Sequence, residues 1–196
     1  MAQFSRRLLI AAPATLIAAA LSRKLTPETM AETMADEPGA GDAALPDLSA
    51  LQPTVPPAAL PPLRFQTVEG GVRSLADYAG RGILLNLWAT WCPPCVAEMP
   101  ALDQAAALLA PEIAVLPVSA DRGGAATVRT FYARHGIRNL PILLDPGSET
   151  LQALGLTGLP TTLLIDRLGR ERARLQGSAQ WAAPQAIETI RRLVRA

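Results

Sequence analysis

The stretch ILLNLWATWCPPCVAEMP, residues 83–100, joins an apolar run to a helical pattern through the only two cysteines of the chain. Residues 83–89 are almost continuously apolar, as in a strand buried on both faces of a sheet. From Cys95 onward, apolar residues recur at helical spacing. Cys92 and Cys95 are therefore predicted to lie where a buried strand passes into a helix.

Strand and helix patterns alternate through the rest of the chain. Gly70 and Gly71 separate two short strand patterns, which predicts a hairpin before the cysteine pair. After the pair come strands at 113–120 and 141–145, helices at 125–136 and 148–155, a hairpin at 161–177 and a last helix at 184–194. This order predicts an α/β fold with a central mixed sheet flanked by helices.

The N-terminus has the layout of an export signal. Arg6 and Arg7 precede an uncharged run at 8–21, and Arg23 and Lys24 follow it. The run is shorter than the roughly 20 residues of a comfortable membrane span. We predict that residues 1–21 are a signal peptide or a membrane anchor, with cleavage favoured. Export would place the cysteines outside the reducing cytosol.

A proline-rich segment separates this run from the folded part. Few aromatic or β-branched residues occur in it, so it buries too little apolar surface to offset its ordering entropy. We predict a disordered linker at 22–54 and one folded domain at 55–196. The net charge of +1 gives no field that would attract nucleic acid, and we expect no nucleic-acid partner.

Two ordinary roles fit the cysteine pair poorly. A structural zinc site needs four ligands, and this chain offers two cysteines and one histidine, His135, so we expect no metal. A purely structural disulfide would close only two intervening residues, and so short a loop restrains the unfolded chain weakly.

A redox dithiol fits better. At a helix N-terminus, unpaired N–H groups and the helix dipole favour the thiolate of Cys92, which would be the exposed, attacking sulfur. Cys95, one turn further and poorly exposed, would resolve the mixed disulfide. Pro93 and Pro94 suit the first turn, where a missing N–H costs little.

Two blocks carry a resemblance to a known family. NLWATWCPPCVAEMP (86–100) and GLTGLPTTLLID (155–166) resemble the active-site and cis-proline segments of TlpA/ResA-type thiol-disulfide oxidoreductases in the thioredoxin superfamily. The likeness covers about residues 55–196. It implies a thioredoxin-like fold, with an N-terminal hairpin and an inserted strand and helix.

The resemblance also implies roles for individual residues. Cys92 would be the nucleophile and Cys95 the resolving thiol. Pro160 would be the cis-proline facing the disulfide, and Leu159 before it would offer backbone hydrogen bonds to a partner strand. Trp91 would give the partner an apolar platform.

Glu98 is the acid that the resemblance singles out. It lies one turn after Cys95, and its counterpart in the family is thought to assist proton movement at the thiols. The alternative is a first-turn glutamate that only satisfies the helix dipole. Cytosolic thioredoxins carry a buried aspartate where this chain has Asn86, which cannot titrate.

The expected activity is reduction of protein disulfides by an exported, periplasmic enzyme that needs no cofactor. Relatives of this type reduce apocytochrome cysteines or copper-delivery proteins and take electrons from a membrane donor. The N-terminus could tether the enzyme to the inner membrane. A dithiol oxidase or isomerase shares the same residues, because direction depends on reduction potential. A copper chaperone of thioredoxin fold is the non-enzymatic alternative.

Overall fold

A computed structural model describes residues 44–195. The predicted signal or anchor and most of the predicted linker lie outside these residues. The described part forms eight strands: β1 Gln52–Ala59, β2 Arg64–Thr67, β3 Val72–Ser74, β4 Gly82–Trp88, β5 Ile113–Ser119, β6 Leu143–Leu144, β7 Thr161–Ile165 and β8 Arg170–Gln176. It also forms four α-helices: α1 Pro93–Leu109, α2 Gly124–His135, α3 Glu149–Ala153 and α4 Pro184–Val194.

All eight strands join one mixed sheet in the order β1-β8-β7-β4-β5-β6-β2-β3. β4 lies near the middle, parallel to β5 and antiparallel to β7. The hairpin of β2 and β3 pairs with β6 at one edge. Along the chain, the strand–helix pair β6–α3 follows α2 and precedes β7. The predicted mixed sheet, N-terminal hairpin and inserted strand and helix are confirmed.

Alternate residues of β4 enter two apolar cores on opposite faces of the sheet, as the two-residue period of a strand requires. Leu84 and Trp88 pack in the core that contains residues of α1, α2 and α4. Leu85 and Leu87 pack in the second core, against which Leu151 of α3 lies. Asn86 is therefore a polar residue on the face that α1 covers.

The folded domain begins earlier than residue 55, and the predicted linker boundary is wrong. Residues 52–59 form β1 despite three prolines, because β1 is an edge strand that pairs only with β8. Its register shifts between Pro53 and Ala58. Leu45, Leu48 and Leu51 pack against the first core.

The described helices are short relative to a bilayer. Within residues 44–195, none is both long enough and apolar enough to cross a membrane.

Candidate active site

The two cysteines form a disulfide at the beginning of α1. Cys92 is the N-cap residue, and its Sγ accepts the backbone N–H of Cys95 at 3.4 Å. Pro93 opens the helix, where its missing N–H leaves no bond unmade. The junction of strand, cysteine pair and helix is as predicted. A thiolate on Cys92 would keep this N–H donor and gain from the positive end of the helix.

The predicted exposure of Cys92 is wrong. Cys92 is only 5% exposed and Cys95 is fully buried. Trp91, in contrast, is 67% exposed. Cys92 and Trp91 line the same groove, the cysteine as a buried residue and the tryptophan as an exposed one.

That groove has a volume of about 490 Å³ and opens over the disulfide. Trp91, Cys92 and Leu159 line it together, as the resemblance implied. The remaining lining residues are uncharged: Pro93, Pro94, Ala120, Ser148, Leu151, Leu156, Thr157 and Gly158. The site can therefore accommodate an uncharged, partly apolar segment of a partner.

The Leu159–Pro160 peptide bond is cis, as expected from the resemblance. Pro160 itself is buried, and it is Leu159 that reaches the groove. The carbonyl of Pro160 accepts the N–H of Gly177 at 2.9 Å, whereas Leu159 makes no backbone hydrogen bond within residues 44–195. The backbone of Leu159 is thus available to a bound chain.

Asp121 fixes the loop that carries Trp91, a role that our sequence analysis missed. Its buried carboxylate accepts the N–H of Thr90 at 2.9 Å and the Thr90 hydroxyl at 2.6 Å. It also accepts the hydroxyl of Ser119 at 2.8 Å. Asp121 follows β5, the parallel neighbour of β4, and this adjacency is the signal that could have revealed it.

Glu98 is fully buried and receives three hydrogen bonds. Asn86 Nδ2 donates to Oε1 at 2.9 Å, while the N–H of Ala179 and the indole N–H of Trp181 donate to Oε2 at 3.1 and 2.6 Å. Burial raises the pKa of Glu98 from 4.5 to about 7, although these hydrogen bonds favour the charged form. A carboxyl with this pKa can exchange protons near neutral pH.

The alternative explanation of Glu98 as a first-turn residue is wrong. The first turn of α1 contains no acidic residue, and Glu98 lies beyond it. Its carboxylate bonds to β4 and to the segment after β8 rather than to the N–H groups at the helix end.

Asn86 and Trp181 complete the surroundings of Glu98. Asn86 Nδ2 also donates to Thr162 Oγ1 at 3.0 Å, whereas its buried Oδ1 has no hydrogen-bond partner among residues 44–195. An unpaired buried acceptor of this kind costs about 1–3 kcal/mol. Trp88 packs in the core, whereas Trp181 bonds to Glu98, which lies far from it in sequence, and this bond was not foreseen.

Comparison with known proteins agrees with this geometry. The Redoxin family matches residues 40–189. The thiol-disulfide oxidoreductase ResA of Geobacillus thermodenitrificans is 34% identical over 119 residues, which are 60% of this chain and 67% of that protein. ResA of Bacillus thuringiensis subsp. konkukian is 32% identical over 115 residues, 56% of this chain and 63% of that protein. The matched region thus spans about two thirds of these relatives.

Solved structures share the fold. The exposed lipoprotein thioredoxin Etrx1 of Streptococcus pneumoniae is 28% identical with a TM-score of 0.55, covering 66% of this chain and 99% of that one. A DsbF homologue from Corynebacterium diphtheriae, 23% identical, reaches a TM-score of 0.61 and covers 79% of this chain and 96% of that one. With its disulfide at the helix N-terminus, the chain belongs to the Redoxin family and is a thiol-disulfide oxidoreductase of the ResA type.

Proposed function

We propose that this enzyme reduces disulfides of exported proteins, with the cysteines of apocytochromes or of copper-delivery proteins as substrates. The observation that carries the proposal is the placement of Cys92 at the helix N-terminus, beneath an uncharged groove, with the titratable Glu98 buried one turn beyond Cys95. The partner would present its disulfide in an extended segment along Trp91 and Leu159.

The reaction transfers two electrons. The thiolate of Cys92 attacks one sulfur of the partner disulfide, a mixed disulfide forms, and the other partner sulfur leaves as a thiolate. Cys95 then loses its proton and attacks the sulfur of Cys92. The second partner sulfur leaves, the partner is reduced, and Cys92–Cys95 is oxidised.

Glu98 is proposed to take the proton of Cys95. The resolving thiol is fully buried, so its thiolate cannot form by direct contact with water. A carboxyl one helical turn away, with a pKa of about 7, matches this task because it gains and loses a proton at working pH.

The cellular setting is part of the proposal. A basic and apolar N-terminal run supports export to the periplasm, where residues 1–21 would act as a cleaved signal or as a tether to the inner membrane. A membrane thiol-disulfide protein would return electrons to the Cys92–Cys95 disulfide.

The reduction potential tests the direction of electron flow. Equilibration of the purified protein with glutathione should give a potential well below the ~−120 mV of a strong periplasmic oxidant. A potential close to that of the oxidant would contradict the reductase and favour the dithiol oxidase.

Trapping identifies the substrates. A Cys95→Ala variant keeps the attacking sulfur but cannot resolve the mixed disulfide, so it should accumulate covalent complexes in the native host. Apocytochromes or copper-delivery proteins are the expected partners, and the Cys92→Ala, Cys95→Ala double variant is the matched control. Capture of general folding substrates instead would overturn the proposed substrate class.

A further inference from the structure

The amide of Asn86 is buried between two elements and uses only one of its two ends. Its nitrogen donates to Glu98 Oε1 at 2.9 Å and to Thr162 Oγ1 at 3.0 Å, which occupies both of its protons. Its oxygen is buried and has no hydrogen-bond partner in the described part of the chain. Buried unpaired oxygens are uncommon in native proteins, so this one calls for an explanation.

The neighbours of Glu98 are arranged for its charged form only. Asn86, Ala179 and Trp181 all donate hydrogen bonds to the carboxylate, and no described group accepts one from it. Burial nevertheless favours the protonated form, whose O–H needs an acceptor. Oε2 already receives two donors, so the proton belongs on Oε1, which faces Asn86.

Turning the amide through 180° about the Cβ–Cγ bond would supply that acceptor. The oxygen of Asn86 would take the place of its nitrogen, within reach of the Glu98 O–H and of the Thr162 hydroxyl. The nitrogen would give up its two present hydrogen bonds and move to the position that the oxygen occupies now. Thr162 suits both orientations because a hydroxyl can accept from nitrogen or donate to oxygen. An apolar residue at position 86 could not serve either form in this way.

We propose that Asn86 is a positioning residue that turns its amide with the proton of Glu98, presenting nitrogen to the carboxylate and oxygen to the acid. The inference rests on the proposed proton role of Glu98 and deepens it, because the carboxyl keeps a partner at each stage of proton transfer. In this role Asn86 acts through Glu98 and contacts neither the thiols nor the substrate.

Other charges do not explain the arrangement. The described groups that contact Glu98 from β4 and from the segment after β8 are uncharged. The residues that α4 buries are apolar. On α1 itself, Cys95 lies one turn before Glu98 and is held in the disulfide, and Asp103 bonds instead to the N–H groups of Arg138 and Asn139.

Nuclear magnetic resonance of the oxidised, full-length protein tests the proposal without a variant. A pH titration would follow the labelled carboxyl of Glu98 and the side-chain amide of Asn86. Both should change with one common midpoint. Contacts between the amide protons of Asn86 and the side chain of Thr162 should be present above the midpoint and lost below it. Contacts that persist at both extremes would overturn the proposal.

Two variants add an independent readout. Trp181→Phe removes a donor that favours the carboxylate, so it should raise the midpoint of Glu98 by about one pH unit. Asn86→Leu removes a partner of both forms, and the two losses should largely cancel. If Asn86 were only a fixed donor, Asn86→Leu would raise the midpoint as much as Trp181→Phe, which contradicts the proposal.

The titration also separates this inference from the proton role on which it rests. If Glu98 titrates near neutrality while the amide of Asn86 stays fixed, the turning of the amide is contradicted and the proton role of Glu98 is not. A midpoint near 4.5, the ordinary value, would contradict both.

Discussion

At the scale of single residues, Glu98 makes the stability of the fold depend on pH. Its pKa is raised from 4.5 to about 7, so the folded state holds the proton more tightly than the unfolded chain. The resulting stabilisation is complete below pH 4.5 and is lost as pH rises through about 7. From the size of the shift, the loss should be roughly 3 kcal/mol.

Glu98→Gln should remove this pH-dependent part of the unfolding free energy. Urea unfolding of the oxidised protein between pH 4.5 and 8.5 would show the wild type losing stability relative to the variant as pH rises. Glu112→Gln, at an exposed position outside the site, is the matched control and should keep the wild-type slope. Parallel curves for wild type and Glu98→Gln would show that Glu98 has no raised pKa.

Sequence reasoning found the residues of the site that are close together in the chain. Cys92 caps the helix that carries Cys95 and Glu98, so their spacing alone places them together. Trp181 and Asp121 were missed because they reach the site through tertiary packing across 83 and 31 residues. No local pattern distinguishes a tryptophan that bonds to a buried carboxylate from one that only fills a core.

At the scale of elements, β4 packs so closely against α4 that position 82 has no room for a side chain. A Cβ placed on Gly82 would lie 2.8 Å from Cβ of Val194 and 3.3 Å from Cγ1 of Ile113. Gly82→Ala should therefore destabilise the protein by about 1–3 kcal/mol through overpacking.

A double-mutant cycle tests this contact. Val194→Ala alone should be destabilising because it opens a cavity, but it should recover part of the stability lost in Gly82→Ala. Denaturant midpoints of the four proteins give the coupling. Strictly additive effects would mean that Gly82 is not needed for the approach of α4 to β4.

Element prediction succeeded where one periodicity dominated and failed at β1. The continuous apolar run of β4 is typical of a strand that is buried on both faces of a sheet. The pattern of α4 is typical of an amphipathic helix. β1 carries prolines at 53, 56 and 57 and looks like a linker, because proline signals the loss of ladder hydrogen bonds. Only its position at the sheet edge, a tertiary fact, makes those prolines acceptable.

At the scale of the whole molecule, the redox state of one short loop is linked to the stability of the fold. The disulfide closes a loop of four residues, which by chain entropy alone stabilises the folded protein by about 2 kcal/mol. A strong oxidant reverses this relation, since its reduced form is the more stable one. In a reductase of the proposed kind, the oxidised protein should be more stable than the reduced protein.

The oxidised protein should therefore unfold at higher urea concentration than the dithiol form, by up to about 2 kcal/mol in unfolding free energy. Parallel unfolding at pH 7, with and without a reductant that keeps both thiols reduced, measures the difference. A Cys92→Ser, Cys95→Ser variant should unfold at the same urea concentration with and without the reductant, which controls for effects of the reductant itself. If the dithiol form proved more stable, the protein would act as a disulfide oxidant. The proposed direction of electron flow would then be wrong, although the fold and the site residues would be unchanged.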